Sequence, residues 1–183
     1  MKTIFLVCGQ SGSGKDSLVA NACETLGLKQ LKSYATRPRR TGEGNTHTFI
    51  TPAEVAQYEH EMIAYTKIGE FEYFATKSQL ETSSIYVIDY EGIKWMFSRG
   101  IDFSGYRFVT IFINLPDDIR EQRAINGRAD NELTFYKRCF NENTQFNEML
   151  IKKDFDYAIT NNNYHTASTI FNIIISEEIA NDD

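Results

Sequence analysis

A glycine-rich loop, Gly9-Gln10-Ser11-Gly12-Ser13-Gly14-Lys15-Asp16-Ser17, follows the apolar run Thr3 to Cys8 and opens a helical pattern from Lys15 to Leu26. A buried strand that feeds a helix through glycines belongs to a parallel α/β sheet, in which the helix packs back over the strand. The Gly-x-x-x-x-Gly-Lys spacing has a chemical reason. Glycines let backbone N–H groups wrap a phosphate without an intervening Cβ, and the helix N-terminus adds unpaired donors. Lys15 then brings a mobile positive charge to the β- and γ-phosphates. Gly9, Ser11, Gly12, Ser13, Gly14, Lys15, Asp16 and Ser17 are therefore expected to hold a triphosphate. Asp16 stands where the common form of the loop has Ser or Thr to hold magnesium. Ser17 is expected near Mg2+, and Asp16 either joins it there or serves as an acid in the first helical turn.

The rest of the chain continues the alternation. Further strands are expected at Gln30–Tyr34, Ile85–Asp89, Arg107–Ile113 and Tyr157–Thr160, and helices at Glu91–Arg99, Asp117–Ile125, Leu133–Ile151 and Thr166–Ile179. One stretch breaks the rhythm. Residues 36 to 82 hold short, aromatic-rich runs around a helix announced by Thr51-Pro52-Ala53-Glu54, a capping box with proline at its first position. It reads as an inserted small subdomain of antiparallel strands.

At 183 residues with a net charge of −6, the chain has the size of one domain and lacks the broad basic surface of a general nucleic-acid binder. No apolar run reaches the ~20 residues of a bilayer span, and the early glycines interrupt any leader-like stretch. A cytoplasmic protein with no membrane or nucleic-acid partner is expected, acting as a monomer or homodimer on small-molecule nucleotides. Cys8, Cys23 and Cys139 lack metal or redox spacing and read as packed thiols. The arginines, by contrast, gather in two places: Arg37, Arg39 and Arg40, and the later stretch holding Arg120, Arg123, Arg128 and Arg138. An acidic chain that concentrates arginine this way suits a small, highly anionic ligand.

The segment Ser33-Tyr34-Ala35-Thr36-Arg37-Pro38-Arg39-Arg40-Thr41-Gly42-Glu43 resembles the acceptor-binding signature of guanylate kinases, with the proline displaced. Val87-Ile88-Asp89-Tyr90-Glu91-Gly92 is similar to that family's strand ending in Asp-x-x-Gln-Gly, and Asp156 to Asn161 to its last core strand. The resemblance implies a P-loop NTPase-type parallel sheet flanked by helices, with an inserted acceptor-binding subdomain and a lid. The core would comprise residues 1–32, 84–126 and 139–183, the insert 33–83, and the lid about 127–138. It implies that Ser33, Arg37, Arg40, His47, Tyr73, Thr76 and Asp89 bind the acceptor, and that Asn161 joins the ATP site. Lys15, Arg123, Arg128 and Arg138 would neutralise the transferred group. The implied reaction is Mg2+-assisted phosphoryl transfer from ATP to a nucleoside monophosphate, GMP or dGMP.

Three departures bear on the acceptor. Ala64 stands where the family offers a glutamate to guanine, with Glu61, Glu70 and Glu72 nearby as substitutes. Phe74 in Tyr73-Phe74-Ala75-Thr76 is read as losing a hydroxyl that would reach the acceptor phosphate, and His47 replaces a tyrosine. The Gly-Lys-Asp-Ser order also resembles ribose 1,5-bisphosphokinases and certain phage deoxynucleotide kinases, so another deoxynucleotide or ribose 1,5-bisphosphate is an alternative acceptor. A non-catalytic guanylate-kinase-like binding domain is the third reading. Such domains typically lack an intact phosphate loop, which this chain retains.

Overall fold

The computed structural model describes the backbone of residues 1–40, 43–128 and 132–181, and their side chains apart from 124–128, 132–134, 138 and 141. Its first strand, β1 (Lys2–Cys8), is buried from Ile4 onward and leads through the glycine loop into α1 (Lys15–Leu26). Then follow β2 (Gln30–Leu31), β3 (Tyr34–Ala35), β4 (Thr48–Phe49), β5 (Met62–Ile68), β6 (Phe71–Thr76), α2 (Lys77–Glu81) and β7 (Ile85–Val87). The chain closes with α3 (Tyr90–Ser98), β8 (Tyr106–Asn114), α4 (Asp117–Arg128), α5 (Glu132–Lys152), β9 (Tyr157–Thr160) and α6 (Tyr164–Ala180).

A five-stranded sheet runs in the order β2-β7-β1-β8-β9, and every pair in it is parallel. Side chains of β1 alternate between two cores, as a strand covered on both faces requires. Phe5 and Val7 pack with Leu18 and Val19 of α1 and Phe171 and Ile175 of α6. Ile4 and Leu6 pack on the other face with Ile93 and Met96 of α3 and Phe146 and Met149 of α5. The α/β expectation is met, with helices on both faces.

The second sheet has the order β4-β3-β6-β5. Here two expectations are corrected. The single strand expected over Gln30–Tyr34 is divided at Lys32 and Ser33, where the chain leaves one sheet for the other. The insert is also not wholly antiparallel, because β4 pairs with β3 in parallel. Residues 36–47 separate those strands in sequence, about the dozen residues that a crossover between parallel strands needs. The capping box forms: the Thr51 N–H donates to Glu54 Oε2 at 2.7 Å, opening a short 3₁₀ turn, Pro52–Gln57.

Candidate active site

Many of the candidate residues gather at the carboxyl edge of the central sheet, where parallel α/β sheets place their ligands. Gly9 follows β1, Ser33 follows β2, Asp89 follows β7, Arg120 follows β8 and Asn161 follows β9. The topology thus brings distant parts of the sequence to one rim.

The glycine loop is held from several sides. Gly12 and Gly14 adopt φ of +82° and +84°, a left-handed conformation that suits glycine. A Cβ on Gly12 would lie 2.8 Å from the Arg120 carbonyl oxygen, and one on Gly14 would collide with the Asn161 amide. Asn161 is buried; its Nδ2 donates to the Ser13 carbonyl at 2.8 Å, while its Oδ1 and the Ser13 hydroxyl are orphaned polar atoms. Arg123 lies beside the loop, its Nη2 donating to the carbonyls of Asn161 at 2.9 Å and Asn162 at 3.4 Å. Arg120, noted in the sequence only as part of an arginine cluster, is wholly buried. It donates to the Ser11 carbonyl at 3.0 Å, the Asp117 carboxylate at 2.6 Å and the Cys139 sulfur at 3.5 Å.

Several residues expected to bind the acceptor lie about one face of the second sheet. Ala64 pairs with Ala75, Thr66 with Tyr73, and Ala35 with both Tyr73 and Phe49, so these residues share a face. His47 sits edge-on to Tyr73 (5.9 Å) and Phe49 (6.1 Å), and its Nδ1 shares a 2.9 Å hydrogen bond with the Ser33 hydroxyl. The Arg37 guanidinium lies 5.2 Å from the centre of the Phe49 ring and binds Glu43 in two-pronged fashion. Glu43 also accepts from the Arg40 N–H at 3.0 Å. Burial alone would raise the Glu43 carboxyl, but Arg37 and the Arg40 amide hold it down at about 2.

Asp89 caps α3, its Oδ1 accepting from the Gly92 N–H and the Thr66 hydroxyl, both at 2.7 Å. Burial pushes this carboxyl up against the pull of those two bonds, and the charges of Glu91 and Glu142 push the same way. Asp89 therefore serves as a helix cap and at the same time ties α3 to β5 of the second sheet.

Not every sequence expectation survives. Phe74 lies on the opposite face from Tyr73, buried and 5.0 Å from Tyr34, so the hydroxyl that this run carries on the His47 face is that of Tyr73. Thr76 is buried as the N-cap of α2 and contacts Ser78, instead of standing with the acceptor cluster. None of the three glutamates replaces the one missing at Ala64. Glu72 binds the Tyr65 hydroxyl at 2.8 Å, Glu61 pairs with His60, and Glu70 is exposed. Arg40 is exposed. The side chains of Arg128 and Arg138, and the residues Thr41 and Gly42, lie outside the described residues.

No family model matches the chain. It is 31% identical over 182 residues to a guanylate kinase of Rickettsia felis, covering 95% of this chain and 93% of that protein. The chain belongs to the guanylate kinase family. A guanylate kinase of Buchnera aphidicola subsp. Baizongia pistaciae is 30% identical over 184 residues, covering 93% of this chain and 86% of its own. The crystal structure of guanylate kinase from Anaplasma phagocytophilum has the same fold, with a TM-score of 0.61 at 22% identity, covering 96% and 86% of the two chains. Within this guanylate kinase fold, sequence reading missed the contributions of Arg120, Glu142 and Thr66. Each acts through a tertiary hydrogen bond to a distant element, a contact no local pattern announces.

His47 gives the site a pH signature. Burial, then the Arg37 charge, hold its imidazole below the ordinary range, against the weaker upward pull of Glu43 and Asp16. Folding thus favours neutral His47. The stability this gives is present above the unfolded value of about 6.5 and is lost as pH falls through the lower folded value. Wild-type Tm is expected to fall more steeply than that of His47→Gln between pH 7 and pH 5. Parallel curves in a thermal-melt series would remove His47 from the account.

Proposed function

We propose that this protein is a nucleoside monophosphate kinase that transfers the γ-phosphoryl group of ATP to GMP or dGMP. The observation that carries this reading is the common rim: a glycine-rich phosphate loop at the carboxyl edge of the central sheet, and a cluster of buried Ser33 and Arg37 with half-buried His47 and Tyr73 on the adjoining sheet. One pole suits a triphosphate and the other a second phosphate-bearing molecule. Relatives named guanylate kinase, matched over nearly the whole chain, support the same reaction class.

In this reading residues 1–32, 84–126 and 139–183 are the core, 33–83 the acceptor-binding insert and about 127–138 the lid. Lys15 and Arg123 stand at the donor loop, joined by Arg128 and Arg138 from the lid. Arg37 supplies a guanidinium fork matched to a phosphate, assisted by Ser33, Arg40, His47 and Tyr73. Asp89 offers its Oδ2 to donors on the acceptor base. Transfer then depends on alignment and charge neutralisation, with water excluded, and needs no residue to act as nucleophile.

The donor set fits Mg2+. Among the described residues no group of three or more His, Cys, Asp or Glu is placed to hold a metal ion by itself. Mg2+ in kinases is characteristically held by one or two protein oxygens plus phosphate oxygens and waters. Ser17 and Asp16, in the first turn of α1, would supply the protein oxygens, and the ion would neutralise phosphate charge. Among the described residues no helix is long and apolar enough to cross a membrane.

A coupled ADP-release assay tests the reading against GMP, dGMP, the other nucleoside monophosphates and ribose 1,5-bisphosphate. GMP or dGMP is expected to give the highest kcat/KM. A preference for ribose bisphosphate or a pyrimidine nucleotide overturns the acceptor assignment, and ATP turnover with none of them overturns the kinase assignment.

A further inference from the structure

Ser11 has all its polar groups engaged by the two helices that flank residues 129–131. Its carbonyl accepts from Arg120 of α4 at 3.0 Å. Its N–H donates to Glu142 Oε2 of α5 at 2.7 Å and its hydroxyl to Glu142 Oε1 at 2.5 Å. The neighbouring residues repeat the pattern, with Gln10 Nε2 donating to Asn143 Oδ1 at 2.9 Å. One turn further along α5, Gln145 accepts from the Glu91 N–H at 3.2 Å, beside Asp89. A stripe of α5 thus ties the donor loop to the helix that carries the acceptor-side carboxylate.

Glu142 is an unexpected partner for such a loop. A carboxylate near a triphosphate site adds repulsion, yet here it takes both donors of one loop residue. The Ser11 N–H aimed at Glu142 is withdrawn from phosphate binding, which leaves the later amides of the loop for that task. Buried Arg120 sits across Ser11, holding its carbonyl while paired with Asp117. A loop of alternating glycine and serine has a large conformational entropy when unrestrained, and fixing it before the ligand arrives lowers the cost of binding.

We propose that Glu142 is a positioning residue for the phosphoryl donor, its carboxylate clasping Ser11 so that the loop is pre-formed. This rests on the reading of the loop as the donor site. The test is calorimetric titration of wild type, Glu142→Ala, Glu142→Gln, Ser11→Ala and the double variant with MgATP, and separately with GMP. MgATP Kd is expected to rise about tenfold in Glu142→Ala, the scale of a lost charge-assisted bond, with GMP Kd unchanged. Glu142→Gln, which keeps one acceptor oxygen, should recover part of the loss. Ser11→Ala keeps the backbone bond to Glu142 and should cost less than Glu142→Ala, and the double variant should be no worse than Glu142→Ala, because the Ser11 hydroxyl has no bond left to lose once the carboxylate is gone. An unchanged or tighter MgATP Kd in Glu142→Ala, or full additivity in the double variant, overturns the clasp. Wild type that binds no MgATP overturns the donor-site reading itself, a result distinct from the clasp's own failure.

Discussion

Lys15→Ala is expected to lower kcat by at least ~10²-fold, the scale of losing one group that stabilises charge in the transition state, with little change in Tm. Lys15 is the first residue of α1 and only partly buried, so the truncation leaves no cavity. What the variant keeps explains why activity should not vanish. The helix N-terminus and the loop amides still receive the phosphates, and Asn161 still holds the Ser13 carbonyl. Lys15→Arg should not restore the wild-type rate, because a planar fork does not replace a compact ammonium on a flexible stem. Initial-rate kinetics at saturating ATP and GMP decide the matter. Near-normal turnover in Lys15→Ala would show that the loop does not hold the donor.

The fold was legible where local pattern and tertiary demand agree. The strand at the N-terminus, the helix Lys15–Leu26 and the strand Tyr157–Thr160 were readable because each is an apolar run or a helical stripe bounded by turn residues. The insert was less so. Its strands are short, and pairing direction there depends on where the chain re-enters after residues 36–47, which period-two alternation does not encode. The five-residue helix α2 also escaped, although its capping box at Thr76 is written in the sequence in the same form as the one at Thr51.

The site divides in the same way. Glycines and Lys15 are spaced along the chain by the shape of a phosphate, so sequence reveals them. Which face of a strand a residue occupies is less secure, because a shift of one residue exchanges the faces. Phe74 and Tyr73 illustrate this: resemblance in the run Tyr73 to Thr76 places the missing hydroxyl at Phe74, whereas the sheet packs Phe74 against Tyr34 and sets Tyr73 beside His47. Arg120 and Glu142 lie beyond sequence reading for another reason. Charged residues on amphipathic helices usually face solvent, and only the packing of α4 and α5 on the loop brings these two to Ser11.

Arg37→Ala is expected to raise the acceptor KM by about 10²-fold, through loss of a two-pronged phosphate contact, and to lower stability as well. The second effect follows from Glu43. Arg37 is only 6% exposed and Glu43 14%, so the truncation strands a carboxylate in a nearly dry site. Breaking a buried pair costs about 3–5 kcal/mol; the Arg40 N–H remains as a partner, which favours the lower end. For a chain of this size that corresponds to a Tm loss of about 10 °C. Acid provides the decisive readout. With Arg37 present, the Glu43 carboxyl is held at about 2. Its stabilisation is therefore full above the unfolded carboxyl value of about 4.3 and lost as pH falls through about 2. Without Arg37, burial dominates and lifts the folded value above the unfolded one, so the sign reverses and acid relieves the variant. The Tm gap between wild type and Arg37→Ala should therefore be widest near pH 7 and narrow steadily as pH falls through the range from 5 to 3. Arg37→Ala combined with Glu43→Ala should recover part of the lost Tm but none of the acceptor affinity. A gap that stays constant with pH would mean that Glu43 is not the group left stranded.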